Sequence, residues 1–344
     1  MKKIRVLIAD DSALSRALLK EYLERDTAIE VIAEASNGQE AVEMACALTP
    51  HVITMDVQMP KMDGLAAIEA IMTRRAIPIL VVSSVADAKT AYDALLCGAL
   101  DVISKPEYDS HEALQLAAKV KLLAGVSVFT RRAQRLATGV TQDKENELPA
   151  TPQLSDARFN RVFAIACSTG GPQALASLLP SLPADFASPI VIAQHIAQGF
   201  SQGMAEWLNR LTPLTVRLAQ AGEQLESGTV YLAPSEQHLR VDAQAKLQLV
   251  EPKSGEIYHP SCDQLLSSVA HSFGQRSVGM ILTGMGKDGV LGMGEIYRHQ
   301  GVTLAQDEAS SLIYGMNRVA IESGVVCDVL PLDAMAERMV TLVS

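Results

Sequence analysis

A serine stands where an apolar run gives way to glycines in residues 162–173, VFAIACSTGGPQ. The apolar run predicts a buried strand, and Pro172 favours a helix directly after it because proline is well tolerated at the first helical position. Ser168 therefore lies between strand and helix, beside glycines that expose backbone N–H groups. Three interpretations of Ser168 follow: a nucleophile, a phosphate-loop residue or a helix N-cap.

Two more polar residues follow apolar runs in the same half of the chain. His195 ends the run in IVIAQHIAQGF, and Asp288 lies just beyond the run in ILTGMGKDG. Because parallel strands bring their carboxyl ends to one edge of a sheet, Ser168, His195 and Asp288 are expected to converge. Together they would supply a nucleophile, a base and an orienting carboxylate. Taken singly, a strand-end histidine is ordinarily a surface residue, and an aspartate among glycines is ordinarily a turn residue.

The sequence around these residues departs from the α/β-hydrolase pattern. ACSTG has Ala166 where the GxSxG nucleophile elbow has glycine, and the chain order serine, histidine, aspartate differs from that of α/β hydrolases. A distinct family of serine hydrolases is implied.

A dinucleotide site is the main alternative. GMGKDG, from Gly284 to Gly289, matches GxGxxG after an apolar run, and Asp307 lies near the distance expected for a ribose-binding acid. Too little chain follows to complete two mononucleotide-binding halves. The Lys287–Asp288 charge pair also falls inside the loop that should approach the pyrophosphate.

Polar residues also end the apolar runs of the first 124 residues. Asp10 and Asp11 follow VLIA, Asp56 follows VITM, Ser83 follows ILVV and Lys105 follows LDVIS. Three carboxylates at one sheet edge would repel one another unless a hard cation such as Mg²⁺ lay among them. Carboxylates, Mg²⁺, a hydroxyl and a lysine together indicate a site that receives a phosphoryl group on Asp56.

The elements that must position these residues alternate between strands and helices. Apolar runs separated by helical patterns predict α/β structure with parallel sheets in both halves. Residues 130–157 lose this period and gather polar residues and proline, as is typical of a linker. We therefore predict two α/β domains, residues 1–124 and 158–344, joined by a linker over 125–157.

Composition excludes several classes of protein. The 344 residues carry a formal charge of −10, with net −5 in residues 1–125 and again in 158–344, so neither half offers the basic face that nucleic-acid binding needs. A DNA-binding output domain is therefore disfavoured. The five cysteines form no CxxC pair, as expected of reduced thiols in a cytosolic protein. Neither a signal peptide nor a membrane-spanning run is predicted.

Residues 1–124 resemble a response-regulator receiver domain, in IADDSALSR, MDVQMPKMDG, VVSS and GALDVISKP. The resemblance implies a flavodoxin-like fold with a parallel five-stranded sheet, Mg²⁺ held by three aspartates, phosphorylation by a histidine kinase and a cis Lys105–Pro106 bond. Val102 departs from the pattern, because receivers often have a switch aromatic there. The residues that the resemblance assigns are Asp10 and Asp11 for Mg²⁺ with Asp56, Asp56 as the phosphorylated residue, Ser83 as the sensor and Lys105 as the phosphoryl ligand.

Residues 160–344 resemble the catalytic domain of the chemotaxis protein-glutamate methylesterase (CheB) family. The matching segments are CSTGGP, QHIAQGF, PSCDQLL, ILTGMGKDG and AQDEASSLIYGM. The resemblance implies a doubly wound, mostly parallel hydrolytic domain that needs no cofactor. It assigns Ser168 as nucleophile, His195 as base, Asp288 as orienting carboxylate, and Thr169 and the Met285 backbone to the oxyanion. Departures from the family pattern occur at Ala166, Cys167, Ile196, Ala197 and Asn317.

This second resemblance implies a phosphorylation-regulated esterase. It would remove methyl esters from glutamate side chains of methyl-accepting chemoreceptors and deamidate receptor glutamines, with a chemotaxis histidine kinase as phosphodonor. A receiver that covers the catalytic site until it is phosphorylated is the regulation we expect. Two alternatives are the same hydrolase in another chemosensory pathway and an inactive, receptor-docking module.

Overall fold

The computed structural model describes residues 3–106, 111–126, 128, 159–253, 255–256 and 258–343, with backbone alone for residues 111–115. Most of the predicted linker over 125–157 lies outside the described residues. None of the helices in these ranges is long and apolar enough to cross a membrane.

The N-terminal domain is a parallel sheet of five strands in the order β2-β1-β3-β4-β5. This order confirms the predicted flavodoxin-like fold. Three helices begin at polar N-caps (Ser12, Asn37 and Asp63) whose side chains accept backbone N–H bonds. The elements are β1 (Ile4–Ala9), α1 (Ala13–Glu24), β2 (Ile29–Ala35), α2 (Gly38–Leu48), β3 (Val52–Met55), α3 (Gly64–Arg74), β4 (Ile79–Ser83), α4 (Ala88–Cys97), β5 (Asp101–Ser104) and α5 (His111–Leu123).

The C-terminal domain is a sheet of seven strands in the order β14-β13-β12-β6-β7-β9-β8, and every neighbouring pair is parallel. A separate antiparallel hairpin, β10–β11, lies beside it. The strands are β6 (Val162–Cys167), β7 (Ile190–Gln194), β8 (Thr215–Leu218), β9 (Thr229–Leu232), β10 (His238–Val241), β11 (Leu247–Val250), β12 (Ser277–Ile281), β13 (Val302–Gln306) and β14 (Asp328–Leu330). The helices are α6 (Gly171–Leu178), α7 (Ser201–Leu211), α8 (Cys262–Phe273), α9 (Val290–Arg298), α10 (Met316–Glu322) and α11 (Leu332–Val343).

The central strand β6 determines where the site forms. It lies between β12 and β7, and the chain continues to β7 on one side and returns to β12 on the other. This is the switch point at which open α/β sheets bind ligands, beyond the carboxyl ends of the strands. The pairing of Cys167 with Gln194 places Ser168 and His195 on adjacent strand ends, at the usual strand spacing of about 4.8 Å.

The two domains share an apolar interface between α4 and α7. Tyr92 of α4 is 2% exposed and stacks on Trp207 of α7, with ring centroids 5.5 Å apart. The Phe200 ring meets the Tyr92 ring edge-on. Arg210 of α7 forms an ion pair with Asp93 of α4 at 2.9 Å. The core of the N-terminal domain therefore continues into that of the C-terminal domain.

The predicted cis Lys105–Pro106 bond is wrong. Among the described residues, the cis peptide bond is at His259–Pro260. Cis and trans X–Pro bonds differ by only about 0.5–1 kcal/mol, so tertiary contacts decide the isomer.

Candidate active site

Ser168 directly follows β6, and its backbone is held on both sides. Its N–H donates to the Thr283 carbonyl at 3.1 Å, and its carbonyl accepts from the N–H of Gly171 at 2.8 Å. Gly170, with φ of +80°, is the N-cap of α6, and Ser168 lies two residues before it. The helix-cap interpretation of Ser168 is therefore wrong. The Ser168 hydroxyl is partly exposed and has no hydrogen-bond partner among the described residues.

Gln194 ties the serine strand to the histidine strand. Its side-chain amide donates to the carbonyl of Ser168 at 2.9 Å and to that of His195 at 2.8 Å. The backbone N–H of His195 in turn donates to the Cys167 carbonyl at 3.0 Å. A side chain on Gly171 would overlap the Gln194 amide, so this position has room for glycine alone. The relative position of Ser168 and His195 is thus determined by side-chain as well as strand hydrogen bonds.

Asp288 accepts a hydrogen bond from His195 and lies against the N-terminus of α8. The distance from His195 Nε2 to Asp288 Oδ2 is 2.8 Å, and the carboxylate also accepts from the backbone N–H groups of Cys262 at 2.7 Å and Asp263 at 3.0 Å. Burial acts to raise the pKa of Asp288, but the bonds from His195 and these N–H groups outweigh it and lower the pKa. Asp288 is therefore an anion that fixes the imidazole with its hydrogen on Nε2.

Asp263 has the converse arrangement at the N-terminus of α9. Its carboxylate accepts from the backbone N–H groups of Gly289 at 2.9 Å and Gly292 at 2.8 Å. Burial, with the nearby charge of Asp288, raises the pKa of Asp263 to about 6. Asp288 thus accepts N–H groups from the first turn of α8, and Asp263 of α8 accepts N–H groups at the start of α9, which joins α8 to the loop of Asp288.

Two side chains that touch His195 were missed by the sequence reasoning. The Tyr258 ring stacks on the imidazole with centroids 4.9 Å apart and an angle of 13°. Cys262 Sγ lies 3.6 Å from His195 Nε2 on a fully buried side chain. Cys262 lies within the matched segment PSCDQLL, which gave no sign of contact with the histidine. No sequence signal distinguishes Tyr258 from a loop tyrosine.

The expected oxyanion groups border the serine. Gly284 approaches so closely that a Cβ there would lie 2.7 Å from the Cβ of Ser168, which brings the next residue, Met285, to the serine. The backbone N–H groups of Thr169 and Met285 have no acceptor within the described part of the chain. Two unpaired donors beside Ser168 suit a developing oxyanion.

The loop from Gly284 to Gly289 therefore serves the serine site. Its Asp288 accepts a hydrogen bond from His195, and Ser168 occupies the space that a side chain at Gly284 would need. Asp307, the candidate ribose ligand, accepts from Ser310 in a local turn. The Cβ of Ala166 faces Gly289, which has no side chain to oppose it, so this departure is accommodated beneath the loop.

The polar strand ends of the N-terminal domain also converge. Lys105 Nζ lies 2.7 Å from Asp56 Oδ2 and 2.8 Å from Asp10 Oδ2, and carboxylate oxygens of Asp10, Asp11 and Asp56 lie within 4.8 Å of one another. Burial raises the pKa of Asp56, against the opposing effect of Lys105. This cluster of hard oxygen donors fits Mg²⁺.

Ser83 lies fully buried at the end of β4, next to β5, which leads to Lys105. Its hydroxyl has no hydrogen-bond partner among the residues the structure describes. A buried hydroxyl without a partner is costly, so Ser83 is suited to bind a group that arrives at Asp56. Val102 lies part-buried on β5 with no ring to rotate.

Comparisons with known proteins match both halves of the chain. The family model for CheB methylesterase matches residues 163–339, and that for the response regulator receiver domain matches residues 6–118. The chain is 47% identical to "Protein-glutamate methylesterase/protein-glutamine glutaminase 3" of Paramagnetospirillum magneticum, over 99% of this chain and 96% of that protein. It is 41% identical to "Protein-glutamate methylesterase/protein-glutamine glutaminase 4" of Myxococcus xanthus, over 98% and 96%.

A solved structure agrees with these relatives. The CheB methylesterase catalytic domain of Thermotoga maritima is 36% identical, covers 54% of this chain and 99% of its own, and superposes with a TM-score of 0.51. This chain, an N-terminal receiver domain followed by a doubly wound hydrolytic domain, belongs to the CheB methylesterase family.

Proposed function

We propose that the protein hydrolyses γ-methyl esters of glutamate side chains on chemoreceptors, and deamidates receptor glutamines, with Ser168 as nucleophile. The observation that carries this proposal is the hydrogen bond between His195 and Asp288 beside the unpaired Ser168 hydroxyl. The relatives' names supply the substrate class.

The proposed reaction begins with proton transfer from Ser168 Oγ to His195 Nδ1. Nδ1 is the available nitrogen because Nε2 donates to Asp288. Oγ attacks the ester carbonyl carbon, and the N–H groups of Thr169 and Met285 bind the oxyanion. The imidazolium gives its proton to the departing methoxide, so methanol leaves, and water hydrolyses the acyl-enzyme by the same route. With a glutamine side chain the leaving group is ammonia.

Regulation by the receiver domain is the second part of the proposal. Asp10, Asp11 and Asp56 would hold Mg²⁺, which supports phosphoryl transfer to Asp56 from a chemotaxis histidine kinase. The new anion would draw in Lys105 and the Ser83 hydroxyl. We place these reactions in the cytoplasm, where histidine kinases and the methylated regions of chemoreceptors meet.

The contact with the hydrolytic domain begins two residues after Ser83. Val85 lies against Gly199, four residues beyond His195, and Ala88 lies against Gly203 of α7. Movement of Ser83 toward a phosphoryl group would therefore disturb this interface next to the histidine loop. We propose that the unphosphorylated receiver covers the site and that phosphorylation loosens it.

Methanol release from a methylated receptor fragment tests the nucleophile. Ser168→Ala should lose activity by about 10⁴–10⁶-fold while binding the fragment normally, and Cys167→Ser should be nearly unaffected because Cys167 is fully buried. A dead Cys167→Ser enzyme with a live Ser168→Ala enzyme would transfer the chemistry to the thiol. Loss of activity in neither variant would refute the assignment, and receptor binding without hydrolysis by the wild type would indicate a docking module.

A further inference from the structure

A thiol, an imidazole and a carboxylate point at one another beneath the proposed active site. Cys262 Sγ lies 3.6 Å from His195 Nε2, Nε2 lies 2.8 Å from Asp288 Oδ2, and the three donor atoms all lie within 4.8 Å of one another. The esterase reaction uses the histidine and the aspartate but not the sulfur. The thiol donates a hydrogen bond to the Ala193 carbonyl at 3.4 Å, but the proposed reaction gives it no part.

The separations suit a tetrahedral metal ion. With a Zn–S bond of about 2.3 Å and a Zn–N bond of about 2.0–2.1 Å at the tetrahedral angle, sulfur and nitrogen ligands are about 3.6 Å apart. The distance from Cys262 to His195 already has this value. The corresponding nitrogen–oxygen separation is about 3.4 Å, so the 2.8 Å between His195 and Asp288 would widen by about 0.6 Å.

We propose that Cys262, His195 and Asp288 form a binding site for a thiophilic divalent cation, with Zn²⁺ as the preferred ion, and that its binding inhibits the esterase. The three donors match the sulfur, nitrogen and oxygen ligands of zinc sites with three protein ligands and one open position. The His195 side chain is 14% exposed, whereas Cys262 and Asp288 are buried. The inhibitory part rests on the proposed function.

Proton accounting explains the inhibition. On binding, the cation replaces the thiol proton of Cys262, which leaves to solvent, and Asp288 stays a carboxylate. His195 stays neutral, but its hydrogen moves from Nε2, now a ligand, to Nδ1. The ion with a thiolate and a carboxylate has no net charge, which favours a buried site. Nδ1 then carries a hydrogen and cannot accept the proton of Ser168.

The receiver cluster of Asp10, Asp11 and Asp56 is the competing cation site in the described chain. Its ligands are oxygens, which prefer Mg²⁺, whereas a thiolate selects softer ions. Millimolar Mg²⁺ would therefore occupy the receiver without filling the site at Cys262.

Direct binding tests the metal site apart from activity. Co²⁺ is added to full-length Ser168→Ala protein in millimolar Mg²⁺, and the thiolate-to-cobalt charge-transfer absorption is followed, then displaced with Zn²⁺. The band should appear, and Cys262→Ala or the isosteric Cys262→Ser in the same background should remove it. Calorimetric Zn²⁺ affinity should fall by at least about 100-fold, since loss of an outer-shell partner alone costs 10–100-fold. Cys327→Ser, which removes an exposed thiol, is the matched control and should keep the band.

The inhibition is tested by measuring the rate of methanol release at increasing Zn²⁺ concentrations. Each rate is divided by the metal-free rate of the same protein, and a chelator should restore the rate. Wild-type and Cys327→Ser enzymes should be inhibited together, and Cys262→Ala should need at least about 100-fold more Zn²⁺. No band, or equal Zn²⁺ affinity without Cys262, would overturn the metal site. A band with undiminished activity would overturn the inhibition and the role of His195 as base, whereas an active Ser168→Ala enzyme would overturn the proposed function alone.

Discussion

Replacing Gly203 with alanine should activate the unphosphorylated enzyme. Gly203 lies in α7 directly against α4 of the receiver, and a Cβ there would lie 3.0 Å from Ala88 Cβ and 3.0 Å from the backbone N of Lys89. Ordinary contacts between carbon atoms are about 3.5–4.0 Å. One of the two neighbouring atoms is backbone, so rotation of a side chain cannot relieve the clash and α4 must retreat by a few tenths of an ångström.

The size of the effect follows from the cost of overpacking. An extra methyl group in a packed interface costs about 1–3 kcal/mol, and only the closed arrangement bears this cost. The ratio of open to closed protein should therefore rise by about 5–150-fold. If the receiver covers the site, the basal rate rises by up to that factor, limited by the rate of the phosphorylated enzyme, and phosphorylation then adds correspondingly less.

The assay is methanol release from a methylated receptor fragment, with and without phosphodonor and Mg²⁺. Gly294→Ala is the matched control, because it also gains helix propensity within α9 but its Cβ has no neighbour nearer than 3.9 Å. Trp207 is the single tryptophan of the chain, and its stacking on Tyr92 makes its fluorescence a reporter of separation. A Gly203→Ala enzyme that shows the fluorescence change but the basal rate of Gly294→Ala would refute covering.

Five other substitutions test the remaining reasoning. His195→Ala should lose about as much methanol-release rate as Ser168→Ala, whereas Asp288→Asn should lose less, about 10⁴-fold, because it orients the base. Asp56→Asn should keep the full-length rate at its basal level in phosphodonor and Mg²⁺, and a rise would place the phosphoryl group elsewhere. Gln194→Leu should lower kcat by about 10–100-fold at unchanged KM, since two bonds of about 1 kcal/mol each position the strand ends; an altered KM alone would contradict this. Burial raises the pKa of Asp263 to about 6, so ionising this carboxyl costs more in the folded than in the unfolded protein. This loss of stability is absent at low pH and grows as pH rises from about 4 to 6. Asp263→Asn should therefore raise the free energy of unfolding by about 1 kcal/mol at pH 7.5, after discounting for partial exposure, and by little at pH 4. Equal gains at both pH values, measured by urea unfolding, would refute it.

The sequence by itself determined the strands that carry the chemistry. β1, β3, β4, β6, β7 and β12 are short, largely apolar and buried runs, and a polar residue follows each within two positions or ends it. Because a parallel sheet gathers its carboxyl ends at one edge, the convergence of Ser168, His195 and Asp288 followed from order along the chain. The strand β8 and the hairpin β10–β11 were missed because polar residues interrupt their four-residue runs, whereas the equally short β3 is apolar enough to detect.

Only the tertiary structure decided which side chains surround Ser168, His195 and Asp288. Cys262 and Tyr258 touch His195 although they lie more than 60 residues away along the chain. The carboxylates of Asp263 and Asp288 accept backbone N–H groups at the N-termini of α9 and α8 and so connect the two helices. The stacking of Tyr92 on Trp207 likewise depends on how the two domains meet. Local periodicity reports the face that a residue buries, whereas its partner depends on packing between elements distant in sequence.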